Sequence, residues 1–235
     1  MSMNVLDPEM LMNILVKVFI IVLILPLHEY AHAWTAHKLG DDTAMYQGRL
    51  TLNPIAHIDP IGAVCLLIGG FGWAKPVPVD PTRFNRKITM RKGMALTALA
   101  GPVSNLLAAF VGMIVYRIYC CTSYYQTYVS DLIDGEGISN APEIIQSMLY
   151  LFVTINIGLC VFNLVPLPPL DGSKILSSIT GAKLDRWYAK NQQVVRIVFL
   201  VVLVTGILSL PLMIVETLVF QLLKLATDWI PLLFG

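Results

Sequence analysis

Between Gly93 and Tyr116 the chain runs for 24 residues without a charged side chain. As a helix this run is about 36 Å long, enough to cross a hydrocarbon layer of about 30 Å. Inside lipid a backbone must satisfy its own hydrogen bonds, so the only local solution for one such segment is an α-helix. Further apolar runs cover Leu11 to Leu39, Ile144 to Val165 and Ile197 to Val215. A weaker one, Thr217 to Phe234, is interrupted by Lys224 and Asp228. The first run would be roughly 42 Å long as a helix, so one end should protrude, and Pro26 should kink it. Only 13% of the 235 residues are charged, about half the share of a soluble domain. The expected fold is an all-α polytopic membrane protein, one membrane-embedded domain with a core over about 11–180 and additional spans over about 194–235.

The long linker between the first two spans carries a different pattern. Its apolar stretch from Ile61 to Trp73 is too short to span and contains Gly62, Gly69, Gly70 and Gly72, which suits a re-entrant or interfacial element. The prolines of Ala74-Lys75-Pro76-Val77-Pro78-Val79 bias that segment toward an extended backbone. Charge then gives an orientation. Residues 38–92 hold eight Lys and Arg, whereas 121–143 hold none but carry Asp131, Asp134, Glu136 and Glu143. Lys174, Lys183, Arg186, Lys190 and Arg196 follow the third span. The positive-inside rule places both basic loops in the cytoplasm of a multi-pass protein of the cell membrane. Net charge is +1, which offers no basic surface for nucleic acid. Cys65, Cys120, Cys121 and Cys160 form no Cys-x-x-Cys pair and read as packing residues.

The chemistry is concentrated at His28-Glu29-Tyr30-Ala31-His32, inside the first apolar run. On a helix, positions i and i+4 share a face, so both imidazoles can reach one ion. Glu29 is then near enough to act on water at that ion as a general base. Catalytic zinc usually takes three protein ligands and an open position. No third histidine follows at the spacing of proteases that gather all ligands on one segment. The candidates for the third ligand are Asp171, Glu216, Asp80 and Asp59. Asp171 is favoured, because it follows the proline turn Pro166-Leu167-Pro168-Pro169-Leu170 at the cytoplasmic end of a span.

Three motifs stand in order on successive spans: His28-Glu29-x-x-His32, Gly101-Pro102-x-x-Asn105, and Asn163-x-x-Pro166-x-Pro168-x-Leu170-Asp171-Gly172. This order resembles the site-2 protease family of intramembrane zinc metalloproteases. Asn53-Pro54-x-x-His57 and Phe71 to Val79 also resemble its compact prokaryotic members, without an appended PDZ or CBS domain. The resemblance covers about residues 20–180. It implies a three-helix catalytic core, Zn2+ held by His28, His32 and Asp171, Glu29 as general base, and a transmembrane protein in the lipid bilayer as substrate. Asn105 and Asn163 are candidates for substrate binding or for the second donor to the oxyanion.

Plainer readings stand beside these. Asp171 could cap a short helix starting at Ser173. Asn105 and Asn163 could bond across helices. His57 suits a turn-stabilising role, His37 an interfacial one, and Glu216 a helix end between spans. A zinc transporter or metal sensor would also place histidines in a membrane, but it needs no glutamate beside the first of them.

Overall fold

The computed structural model describes residues 14, 18–69, 72–134 and 141–234. Among them the fold is all-α, and the only β-type pairing is a single antiparallel bridge between Ile58 and Ala74. Three described helices are long and apolar enough to cross a membrane: Met90–Cys120, Ala141–Asn163 and Ser209–Leu233. The chain is therefore an all-α polytopic membrane protein. The start of the expected first span lies outside the described residues.

A π-helical turn, Ile20–Ile24, leads into α1, Leu25–Lys38. The expected kink at Pro26 takes this form instead. Pro26 falls in the first turn of α1, where its missing N–H costs no intrahelical bond. The wider π turn before it absorbs the mismatch, as such turns often do beside functional groups. Two short helices follow, α2 (Thr43–Tyr46) and α3 (Pro54–His57), then α4 (Pro60–Gly69), which is the apolar stretch too short to span. Residues 75–80 have no regular structure, as their prolines require.

The second span is α5, Met90–Cys120, and it continues through Pro102. The expected acidic loop contains a helix that the charge pattern did not reveal, α6, Ser123–Asp134. The third span is α7, Ala141–Asn163. After the proline turn come α8 (Asp171–Thr180) and α9 (Ala182–Lys190). The expected fourth span, Ile197 to Val215, is not one helix. It divides into α10, Gln192–Thr205, and α11, Ser209–Ala226, because Gly206 adopts a left-handed conformation (φ 63°) that ends the first of them.

The chain clusters into two compact units. The first comprises the described residues up to Asn105 together with Phe162–Ile207, and the second comprises Leu106–Val161 with those from Leu208 onward. The second unit is held by apolar packing. Ala109 and Met113 from α5 bury against Val153, Ile157 and Val161 from α7, and Leu212, Val219, Phe220 and Leu223 of α11 pack on them. Gly112 makes this possible, since a Cβ there would meet the Phe152 ring at 2.7 Å; small residues of this kind let membrane helices approach closely.

Candidate metal centre

The centre lies entirely within the first unit and is built from α1, the first half of α5 and the start of α8. His28 and His32 are one turn apart on α1 and both are buried. Their Nε2 atoms are 3.0 Å apart, with the rings nearly perpendicular at 87°. Asp171 Oδ2 lies 3.3 Å from His28 Nε2 and 3.1 Å from His32 Nε2. Among the described residues these three form the one group of His, Cys, Asp or Glu placed to share an ion.

The outer ring nitrogens decide what this cluster is. His28 Nδ1 donates to Asn105 Oδ1 at 2.6 Å, and His32 Nδ1 donates to the Thr97 carbonyl at 2.6 Å. Each ring therefore carries its proton on Nδ1 and turns an Nε2 lone pair inward. Two lone pairs and a carboxylate oxygen converging at about 3 Å repel one another unless a cation sits among them. Zinc bonds of about 2.1 Å in a tetrahedron put ligand atoms roughly 3.3–3.4 Å apart, close to the separations found here. The donor set thus fits Zn2+, with nitrogen and carboxylate ligands and the imidazoles oriented from behind.

Local sequence explains how the donors reach their places. Gly101 lies opposite both imidazoles, and a Cβ there would sit 2.5 Å from each ring; only glycine leaves room. Pro102 supplies no N–H to the helical ladder, which costs α5 the bond to the Ala98 carbonyl, next to that of Thr97. Asp171 is not a cap. It is the first residue of α8, with Leu170 in the N-cap position and no side-chain cap. Gly172 lets the helix start there, because a Cβ would lie 2.2 Å from the Leu164 carbonyl oxygen. The helix N-terminus favours a carboxylate. Lys174 Nζ, 3.3 Å from Oδ1, adds a positive charge that favours the ionised carboxylate. Asp171 is thus a charged acceptor.

Glu29 is half-buried next to the ligand pair, and its Oε2 accepts the Val77 amide at 3.2 Å. The segment 75–80 that carries Val77 is anchored at several points. Lys75 N donates to the His57 carbonyl at 2.9 Å, and Asp80 N donates to Asp41 Oδ2 at 2.7 Å. Arg49 donates to the Lys75 and Pro76 carbonyls. Val79 makes no backbone hydrogen bond to a described residue.

The other sequence candidates fall elsewhere. Asp59 accepts Gly62 N at 2.8 Å, and Asp80 accepts Thr82 N at 3.0 Å, so both begin short helical turns. Glu216 belongs to the second unit, facing Gly158. His57 is buried and its Nε2 donates to the Thr51 carbonyl at 2.7 Å. Asn53 caps α3, accepting Ile55 N at 3.1 Å. His37 contacts Asp42 at 2.5 Å. Asn163 is the last residue of α7 and is partly exposed. Sequence reasoning missed the Thr97 carbonyl and Arg49. The first is a backbone group, which no residue pattern reveals. The second was legible only as one more positive charge in a basic linker.

The sequence model of Peptidase family M50 matches residues 16–206. The chain belongs to peptidase family M50. A protein of Bacillus subtilis named "Putative zinc metalloprotease YwhC" is 38% identical over 179 residues, 76% of this chain and 75% of that protein. A Mycolicibacterium smegmatis protein named "Putative zinc metalloprotease Rip2" is 28% identical over 204 residues, 83% of this chain and 70% of that protein. Its Mycobacterium tuberculosis namesake is 29% identical over 182 residues, 75% and 61% of the two chains. No solved structure gives a significant match. Family membership makes the chain a peptidase, and the donor set makes it a metallopeptidase whose fitting ion is zinc.

Proposed function

We propose that this protein is an intramembrane zinc endopeptidase of the cell membrane. It hydrolyses a peptide bond within or near a transmembrane segment of a membrane protein, as the cutting step of regulated intramembrane proteolysis. The observation that carries the reading is the buried His28–His32–Asp171 cluster with a carboxylate of an apolar helix, Glu29, held beside it by the Val77 amide. The basic loops before the second span and after the third support an active site facing the cytoplasm.

In this reading His28, His32 and Asp171 hold zinc. Bound zinc supplies a Lewis acid that activates water and polarises the scissile carbonyl. Glu29 accepts the proton of the attacking water and returns it to the leaving amine. The Val77 amide keeps the Glu29 carboxylate turned toward the site between these transfers. Asn105 acts through His28 by fixing its ring, and Asn163 is the candidate for substrate contact.

A membrane-spanning helix hides its amides in its own hydrogen bonds, so a substrate must unwind before it can be cut. The backbone of Val79, which pairs with no described residue, offers such an unwound segment an edge to pair with. Helix-breaking residues near the scissile bond should therefore speed cleavage.

The test is Glu29→Gln in the purified full chain. Zinc content should match the wild type, while cleavage of single-span substrates falls by about 10²–10⁴-fold. Undiminished cleavage would refute the assignment of the base. Metal transport across vesicles that survives the substitution, with no proteolysis by the wild type, would point to a transporter instead.

A further inference from the structure

Arg49 stands apart from the other cations of the chain. It is only 4% exposed, and among the described residues no carboxylate lies within ion-pairing distance of its guanidinium. Glu29 acts on it only through space, and a buried charge with no direct ion pair is costly unless its donors are used. Three contacts account for most of them. Nη2 donates to the Lys75 carbonyl at 2.5 Å and toward His57 Nδ1 at 3.4 Å, and Nη1 donates to the Pro76 carbonyl at 3.3 Å. Nε is buried without a partner among the described residues. The fork is thus committed to two consecutive peptide carbonyls, and it forgoes one hydrogen bond to do so.

Those two carbonyls immediately precede Val77, whose amide holds Glu29 Oε2 at 3.2 Å. The Pro76 carbonyl and the Val77 N–H belong to the same peptide plane, so fixing one fixes the direction of the other. His57 braces the arrangement from behind. Its Nε2–H donates to Thr51, which leaves Nδ1 as an acceptor for Arg49, and its carbonyl takes Lys75 N. Prolines at 76 and 78 remove the competing N–H donors on either side of Val77. A planar guanidinium suits two adjacent carbonyls, whereas a lysine ammonium on the same site would engage as a point charge.

We infer that Arg49 is a positioning residue for the proton-transfer step: by clamping the 75–76 carbonyls it aims the Val77 amide at Glu29 and so sets where the base stands relative to the attacking water. This rests on the assignment of Glu29 as base. Arg49 touches none of the three proposed zinc ligands, so its loss should spare metal binding and act on turnover.

The experiment uses the full chain in detergent or proteoliposomes with one single-span substrate, comparing wild type, Glu29→Gln, Arg49→Gln, Arg49→Lys, Val77→Pro and the Arg49→Gln/Val77→Pro double variant. Zinc content, thermal midpoint, kcat and KM are measured for each. Arg49→Gln should keep equimolar zinc and lose about 10- to 100-fold in kcat, with KM within about twofold. Arg49→Lys should recover only part of that loss. The double variant should be little worse than the worse single one, since both act through one hydrogen bond. Should Arg49→Gln fail to fold, Arg49→Lys decides: kcat equal to wild type overturns the inference, and a fall with zinc intact supports it. Losses that multiply in the double variant overturn it, as does a rise in KM with kcat unchanged, which would make the clamp a substrate-holding device. If the wild type is inert, or Glu29→Gln remains active, it is the protease reading that fails.

Discussion

The two compact units strike different balances between polar and apolar burial. In the second, Ala109, Met113, Val153, Ile157 and Val161 meet as apolar surfaces, and almost any side chain of similar volume would serve. In the first, the buried residues include His28, His32, His57, Asp41, Arg49, Asn105, Thr97 and Asp171. Each of these needs a partner of the right polarity at the right distance. A packed apolar cluster tolerates substitution gradually, whereas a polar network fails when a single member is removed. The comparison places the chemistry in the unit that carries the stricter demands.

The sharpest way to break this contrast is Asp171→Ala. With one ligand gone, two inward lone pairs cannot hold zinc as before, and both metal content and proteolysis should vanish. Zinc still bound at one equivalent would exclude Asp171 as a ligand. Gly101→Ala comes next. Its methyl would stand 2.5 Å from both rings, so zinc affinity should fall by more than about 100-fold even though no ligand is touched. Unchanged metal binding would mean that α5 can move aside. Asn105→Ala removes only the acceptor behind His28, and a loss of about 10–100-fold in zinc affinity is expected from competition titration. In the second unit Ile157→Ala should lower stability by about 2–4 kcal/mol in reversible unfolding while leaving zinc per folded molecule unchanged. A drop in zinc affinity there would erase the distinction between the two regions.

How much of this could be read in advance follows the same division. The spans at α5 and α7 were legible because hydropathy is a local property, and His28 and His32 because one helical turn is a fixed spacing. Asp171 was legible as a ligand candidate from the prolines before it, though its place as the first residue of α8 rather than a cap was not. The break at Gly206 was missed because an uncharged run on both sides outweighed one glycine. Asn105 was noticed as a polar residue in a span, but its partner lies 77 residues away. Arg49 and the Thr97 carbonyl were invisible for a related reason. Their roles are set by what tertiary folding brings to them, and a positive charge or a peptide group carries no signal of its destination.

The two hydrogen bonds behind the imidazoles have a consequence for access. His32 is fastened to α5 at Thr97 and His28 at Asn105, two turns further along the same helix. Sliding or parting α1 and α5 at this level would disturb the orientation of both rings at once. The seam between these helices is therefore pinned at two levels, and an opening that parted them there would cost the site its geometry.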